Sequence, residues 1–427
     1  MINQDIGDEC LNAFHHQYLL SYGVISMRTF QKTILCIIST LTAVWLQGCT
    51  PEQPNEVSTA IEKTAESQRR EEQDASPGDS YASAYFNRSA ADYFCYKTEE
   101  DITNILDYES MNNVPLCNKP NCNHKNKDCI VRCLDGNVPM FGEQCAYYFV
   151  DQEPKIEETE DGKIDLKLSS DLYCYDFRTN AESKLFHADA SVSENCYGWL
   201  LHDDEIFYID NQYGRSYDET GTFYACGNTG GKMSLCMVRL SDLQSTELCE
   251  LYDLEKLTEY YPLTPNSGEV NMKGLYNNKI YFNVGFVDEE RPRGNQYCYY
   301  VTYYDLSDGT YHGTPEDYGN IDFAAVTYCS ANGLVICRDG EASVTWKTDS
   351  EPVLLKHPCF NQRSFITLID DMLFCDGKAF DLNTQEVREP AALSGKSVVA
   401  KYGDSFIIAD SGMQSGFEKI PAEQLLK

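Results

Sequence analysis

The sequence is short of positive charge. Its 427 residues include 34 Lys and Arg against 67 Asp and Glu, which gives a formal net charge of -33. A field of that sign repels the phosphates of nucleic acids and other polyanions at long range. We therefore exclude nucleic acid as a partner and favour neutral or cationic ligands.

Short motifs of common enzymes are also absent. The chain has no Gly-x-Ser-x-Gly elbow, no His-Glu-x-x-His helix and no phosphate-binding glycine loop. Its carboxylates are too numerous to single out a catalytic pair. We expect a binding protein rather than an enzyme and assign no catalytic residue. The alternative is a glycan-active enzyme, a lyase or glycosidase, with its reactive groups at the centre of the fold.

No apolar stretch is as long as the roughly 18 to 20 residues of a membrane-spanning helix. The candidate at residues 33–46 is about 14 residues long, follows the basic residues Arg28 and Lys32, and ends just before Gly48 and Cys49. This is the layout of a signal peptide, although a buried apolar helix is an alternative. The small Gly48 before Cys49 resembles the bacterial lipobox, whose cysteine receives a diacylglycerol before cleavage. The resemblance implies that Cys49 carries the lipid, with acyl chains such as palmitate, on the outer face of the cell membrane.

The predicted lipid site at Cys49 divides the chain into three parts. Residues 1–48 are the signal peptide, and we expect translation to start at Met27 because residues 1–26 have no place in one. Residues 49–80 contain no aromatic side chain and are polar and charged, so they are expected to form a flexible lipidated tether; a partly helical spacer is the alternative. Residues 81–427 are the folded part.

A two-part phrase recurs through the folded part. The first part is an alternating apolar strand such as Ile206-Phe207-Tyr208-Ile209, and the second is a strand ending in aromatic-Asp-apolar before a polar turn, as in Tyr175-Asp176-Phe177. Each phrase supplies about four antiparallel strands with no helical periodicity. Four-stranded repeats of this kind are typical of β-propeller blades, so the predicted class is all-β.

The phrases predict how many blades there are. Five complete blades are expected near 138–187, 196–251, 271–316, 321–356 and 363–390. Two partial copies remain, at 93–117 and 397–420. Because exposed sheet edges promote aggregation, we expect the two fragments to pair and close a six-bladed ring. Seven blades result if each fragment forms its own, and a β-sandwich or an open solenoid is the remaining alternative.

Three blades carry inserts between their two halves, at about 151–170, 211–232 and 287–296. Since the junction is the same each time, the inserts should emerge on one face of adjacent blades, and this face is the predicted binding surface for a protein, a peptide or a neutral glycan. Its candidate ligand-binding residues are Tyr213, Arg215, Tyr217, Arg291 and Arg293. The alternative is that the inserts are loops without a role.

A cluster of metal-ligand residues follows the first fragment, within residues 117–129. It comprises Cys117, Cys122, His124 and Cys129, separated by Pro and Asn residues that favour turns. Three thiols and one imidazole are a ligand set that suits a structural zinc ion. Disulfides, which are common outside the cytoplasm, or free thiols are the alternatives.

The same stretch carries a family resemblance. Asp107-Tyr108-Glu109, Pro115-Leu116-Cys117 and the segment to Cys129, together with the lipobox and the repeats, resemble surface lipoproteins of anaerobic gut Firmicutes related to the DUF5050 and TolB-like β-propellers. The resemblance extends over the repeats to the C-terminus and implies a lipid-anchored propeller. It implies no activity.

Overall fold

The computed structural model builds the folded part of the chain almost entirely from β-strands. It describes residues 81–83, 87–89, 93–98, 102–117, 119, 121–125, 129–133, 139–142, 145–153, 155–158, 164–167, 169–190, 192, 198–210, 213–217, 223–228, 232–253, 269–287, 297–312, 326–338, 340–348, 350–360, 365–411 and 415–426. The predicted signal peptide, the predicted tether and the predicted lipid site Cys49 therefore lie outside the described residues. Among the described residues, no helix is long and apolar enough to cross a membrane.

The fold is an all-β propeller of seven blades. The prediction of the fold class is confirmed, but the predicted count of six blades is wrong. The five complete blades fall close to the positions that the phrases predict, whereas the two fragments each form a blade of their own. Within a blade the strands are antiparallel and follow one another outwards, from the centre of the ring to its rim.

The longest strands of the fold, of eight and nine residues, lie in blades 2 to 4. Blade 1 comprises β1 (Tyr81–Ser83), β2 (Asn87–Ser89), β3 (Tyr93–Lys97), β4 (Thr103–Asp107) and β5 (Asn113–Pro115). The chain then forms α1 (Ile130–Cys133) and blade 2, with β6 (Met140–Phe141), β7 (Cys145–Asp151), β10 (Ser170–Asp176) and β11 (Ala181–Ala188). Blade 3 comprises β12 (Trp199–His202), β13 (Glu205–Asp210), β16 (Lys232–Arg239) and β17 (Ser245–Asp253). Blade 4 comprises β18 (Glu269–Tyr276), β19 (Lys279–Val287), β20 (Tyr297–Asp305) and β21 (Thr310–His312).

The last three blades are more compact. Blade 5 comprises β22 (Val326–Ser330), β23 (Gly333–Arg338), β24 (Glu341–Thr345) and β25 (Val353–Lys356). Blade 6 comprises β26 (Ile366–Ile369), β27 (Met372–Cys375), β28 (Lys378–Asp381) and β29 (Val387–Arg388), followed by a 3-10 turn at Ala391–Leu393. Blade 7 has only three strands, β30 (Lys396–Tyr402), β31 (Ser405–Asp410) and β32 (Glu418–Pro421), and ends in α2 (Ala422–Leu425).

The aspartate of the repeated phrase builds the turn between the third and fourth strands. In blade 6, Asp381 Oδ1 accepts hydrogen bonds from the backbone N–H groups of Asn383 and Thr384, both at 2.9 Å. Gln385 then takes a φ of 60°, and the chain returns along β29. An aspartate that satisfies turn amides in this way favours the turn from local sequence alone, which is why the repeat could be recognised.

The ring closes by packing between blades 1 and 7. Phe94 and Leu106 of blade 1 share a buried cluster with Ile407 and Ala409 of blade 7, and the Phe417 ring centroid lies 4.7 Å from that of Tyr96. Each fragment thus buries a broad apolar face on the other. This is the physical reason why the two fragments do not merge into one sheet, as the six-blade prediction required.

The strand order defines two faces of the ring. We call the face where second strands lead into third strands the insert face, and the opposite face, with the aspartate turns, the turn face. Because the chain zigzags through each blade, first-to-second and third-to-fourth connections lie on the turn face in blades 2 to 7. In blade 1, which has β1 as an additional strand, the β2-to-β3 and β4-to-β5 connections lie there. The inserts after β7, β13 and β19 all leave from the insert face.

The inserts of blades 2 and 3 combine into an eighth sheet. Its strands are β8 (Lys155–Glu158) and β9 (Ile164–Lys167) from blade 2, and β14 (Tyr213–Tyr217) and β15 (Phe223–Asn228) from blade 3. Their order is β15-β14-β9-β8, so that β14 of one blade pairs with β9 of the other. We call this the insert sheet. The prediction that these two inserts share one face is confirmed.

Candidate metal centre and insert surface

The structure brings the four predicted metal ligands together. One ligand atom from each of Cys117, Cys122, His124 and Cys129 lies within 4.8 Å of all the others. Cys122 Sγ and Cys129 Sγ are 3.5 Å apart, and Cys129 Sγ is 3.7 Å from His124 Nδ1. A tetrahedral ion with Zn–S bonds of about 2.3 Å places its sulfur ligands about 3.8 Å apart. The group, called here the Cys₃His group, therefore has dimensions that suit a bound metal ion.

The backbone turns twice to bring these ligands together. Asn121 and His124 both have positive φ angles, 59° and 55°. Asn and His are among the residue types that tolerate this left-handed conformation best. Cys122 N also donates to Lys119 O at 3.2 Å. The turns return the chain so that Cys122 and His124 approach Cys117.

Cys117, Cys122 and Cys129 are free thiols in this structure, as are the other cysteines whose side chains it describes. A disulfide would require sulfur atoms about 2.05 Å apart, whereas Cys122 Sγ and Cys129 Sγ are 3.5 Å apart. Among the other cysteines, Cys337 and Cys375 are buried within strands, where free cysteine behaves as a small hydrophobic residue, whereas Cys174 is half-buried.

The Cys₃His group lies between blades 1 and 2. Cys117 and Cys129 are only 4% and 3% exposed and share a buried cluster with Ile105 of blade 1 and with Tyr148 and Tyr175 of blade 2. Cys122 and His124 are half-buried at its outer side. A metal held here would link two blades through buried side chains, which is the place of a structural ion.

The three thiols of the Cys₃His group differ in the direction in which their pKa values shift. Burial raises the pKa of the Cys117 thiol and raises that of Cys129 to about 12. Burial also opposes ionisation of Cys122, but hydrogen bonds from the His124 backbone N–H and from the other two thiols outweigh it and lower the pKa of Cys122. Cys122 is therefore the thiol of the group that ionises most readily. A divalent cation at the centre would replace the protons of its thiol ligands.

The predicted ligand-binding residues are only partly placed. Tyr213, Arg215 and Tyr217 occupy alternate positions of β14, a central strand of the insert sheet. Arg291 and Arg293 lie outside the described residues, together with the rest of the third insert.

A charged network that the sequence analysis missed joins blade 2 to the insert sheet. The Asp171 carboxylate is buried, and it lies 2.6 Å from Lys184 Nζ and 2.6 Å from His187 Nδ1. His187 Nε2 is 3.4 Å from Asp189 Oδ1, which in turn accepts a hydrogen bond at 3.2 Å from Lys155 Nζ at the start of β8. Burial opposes ionisation of Asp171, but the hydrogen bonds from Lys184 and His187 outweigh it and lower its pKa.

The centre of the ring is where an enzymatic propeller would hold its reactive groups. Among the innermost strands, β12, β22 and β26 contain no Asp, Glu, Lys or Arg, whereas β18 contains Glu269 and Lys273 and β30 contains Lys396 and Lys401. The short strand β1, which pairs with β2, lies against β12, β18 and β22. Strand β1, the first strand of the folded part, therefore lies at the centre of the ring.

Comparison with known proteins adds neither a family nor an activity to this fold. No family model matches the chain, and no curated protein matches it. The β-propeller domain of the Trilobed protease from Pyrococcus furiosus is similar at 9% identity and a TM-score of 0.34, covering 82% of this chain and 92% of that one. Hsv2 of Kluyveromyces lactis is similar at 8% identity and a TM-score of 0.35, covering 75% and 87%. An oligogalacturonate lyase in complex with manganese is similar at 11% identity and a TM-score of 0.30, covering 63% and 84%.

Proposed function

We propose that this chain is an exported lipoprotein, held on the outer face of the cell membrane through Cys49, whose propeller binds a peptide segment of a partner protein through the insert sheet. The lipobox sequence supports the anchor. The resemblance to propeller lipoproteins of anaerobic gut Firmicutes supports the same assignment.

The observation that carries the binding proposal is the pairing of β9 with β14. Inserts without a role would have no reason to pair with each other across two blades. Here the insert of blade 2 pairs with the insert of blade 3, from Gly214 opposite Lys167 to Tyr217 opposite Ile164. Elaborations of this kind on one face of a rigid scaffold are commonly where binding residues lie.

The register gives the insert sheet two unlike sides. Directly opposite residues on antiparallel strands share a side, so one side carries positions 156, 158, 164, 166, 213, 215 and 217, which are Ile, Glu, Ile, Leu, Tyr, Arg and Tyr. The other side carries positions 155, 157, 165, 167 and 216, which are Lys, Glu, Asp, Lys and Ser.

This composition fits a peptide. The strands β8 and β15 are the edges of the insert sheet, and an edge strand offers backbone N–H and C=O groups to an added strand. Aromatic and Arg residues beside aliphatic ones are typical of the energetically important centres of protein interfaces. The net charge of -33 favours a neutral or cationic segment over an acidic one.

Zinc is the proposed occupant of the Cys₃His group. Thiolate and imidazole donors suit it, and four protein ligands leave no open position for a reacting water. When bound, the ion would supply a structural link between blades 1 and 2 and no catalytic chemistry. The chain's own residues would hold it through three sulfur atoms and one ring nitrogen.

Binding can be tested by selecting peptides from a random library on the immobilised protein and measuring their affinity for variants. We expect Arg215→Ala to weaken the selected peptides by about tenfold or more, the effect of losing an important interface residue. Ser216→Ala is the matched control, because it changes the neighbouring position on the other side of the insert sheet and should leave the affinity within about twofold.

Two outcomes would contradict the proposal. Selected peptides that bind Arg215→Ala as well as the original protein would place the peptide site elsewhere. Failure of every peptide, combined with Arg215-dependent binding on an array of neutral glycans, would replace the peptide partner by a sugar while keeping the surface.

A further inference from the structure

We infer that the insert face points away from the membrane that carries the chain, so that the insert sheet meets partners arriving from the medium. The inference rests on the proposed anchoring through Cys49. It adds the side from which a partner reaches the insert sheet, which the proposed function does not specify.

The direction of β1 decides the face from which the chain enters the propeller. Tyr81 lies opposite Ser89, Ser89 opposite Phe94, and Phe94 opposite Leu106, in one row across blade 1. Leu106 immediately precedes Asp107, whose carboxylate accepts a hydrogen bond from Ser110 N at 2.7 Å in the turn that leads to β5. This turn lies on the turn face. The chain that precedes Tyr81 therefore enters the propeller from the turn face.

The insert sheet starts from the opposite face. Strands β7 and β10 pair as far as Asp151 opposite Ser170, which is the insert-face end of blade 2. The insert that contains β8 and β9 begins there. The seven-residue strands between the two faces correspond to a separation of about 20 Å.

The entry point lies at the centre of the ring rather than at its rim. Strand β1 pairs with β2 and also lies against the innermost strands β12, β18 and β22 of three other blades. Cys49 precedes Tyr81 by 32 positions. By the statistics of unstructured linkers, 32 positions correspond to a root-mean-square reach of about 30 Å. A direct path from the turn face to the membrane needs less extension than a path around the rim to the insert face, so chain entropy favours the turn face towards the lipid.

The orientation can be measured by energy transfer from the protein to dye-labelled lipid headgroups in vesicles that carry the lipidated protein. Two exposed residues of blade 7 provide matched donor sites: Asp404, on the turn face before β31, and Ser411, on the insert face after it. Each is replaced in turn by an azide-bearing amino acid and labelled with a cyclooctyne dye, which leaves the native thiols unlabelled. The two sites are about 20 Å apart along the strand, so we expect transfer to be at least about twofold greater from position 404.

Equal transfer from the two positions, or greater transfer from position 411, would overturn the inference. A second preparation keeps the orientation test independent of lipidation: the chain from Thr50 onward, with an N-terminal hexahistidine tag, is held on vesicles of nickel-chelating lipid. If Cys49 carries no lipid, the proposed anchoring fails, while greater transfer from position 404 in this second preparation still supports the orientation and the reverse result still overturns it.

Discussion

Cys49→Ala is expected to abolish lipid attachment completely and to leave an uncleaved precursor. The thiol of Cys49 is the proposed acceptor of diacylglycerol, and in the lipobox pathway this transfer precedes cleavage. Metabolic labelling with an alkyne analogue of palmitate, read on a gel together with the size of the chain, measures both steps. A chain that has lost its acyl groups also loses the membrane affinity that buried CH₂ groups provide, about 0.8 kcal/mol each.

Cys36→Ala is the matched control for this change. Cys36 lies inside the apolar run of the signal peptide, so its replacement should leave labelling and cleavage unchanged. Equal labelling of Cys49→Ala and the unmodified protein would remove the anchor from the proposed function.

His124→Ala is expected to remove most of the metal from the protein. Protein purified under reducing conditions should carry about one equivalent of zinc, because the described residues form one Cys₃His group. Loss of a ligand should lower the affinity at least as much as changes to outer partners do, which is about ten- to a hundredfold. Elemental analysis after dialysis against a weak chelator measures the retained metal.

The propeller of His124→Ala should still fold, because the group follows β5 instead of interrupting a strand. Its melting temperature should nevertheless fall, since Cys117 and Cys129 belong to the buried contact between blades 1 and 2. His312→Ala, which changes a half-buried histidine of blade 4 that stacks on Tyr303, is the control for the metal and should leave the zinc content unchanged. Metal-free protein with oxidised Cys117, Cys122 and Cys129, lighter by about 2 Da per disulfide bridge, would replace the zinc site by a stapled loop.

The strands could be predicted where the local sequence determines them. An aspartate such as Asp381 satisfies the amides of its own turn, so the signal and the structure that it specifies lie within a few residues. The blade count failed because ring closure depends on contacts between opposite ends of the chain. The short strand Asn87–Ser89, which completes blade 1, lies before the recognised fragment.

The Cys₃His group and the insert sheet differ in how far the sequence predicted them. The four metal ligands are close in the chain, and their chemistry alone identified the group. Pairing of β9 with β14 is a contact between two separate inserts, which no local pattern encodes. Asp171 was missed for a related reason: a β-bulge between Leu172 and Tyr173 shifts the ladder by one residue and sets Asp171 opposite His187. A regular hairpin from the same turn would place Phe186 there.

The proposed function requires the inserts of two blades to form a single binding surface. Hydrogen–deuterium exchange of the protein with and without a selected peptide tests it directly. We expect the peptide to slow exchange in both 155–167 and 213–228, while the turns of blade 6 on the opposite face, around 382–386, exchange at an unchanged rate. Slowing confined to one insert, or slowing at the turn face without any change in either insert, would contradict it.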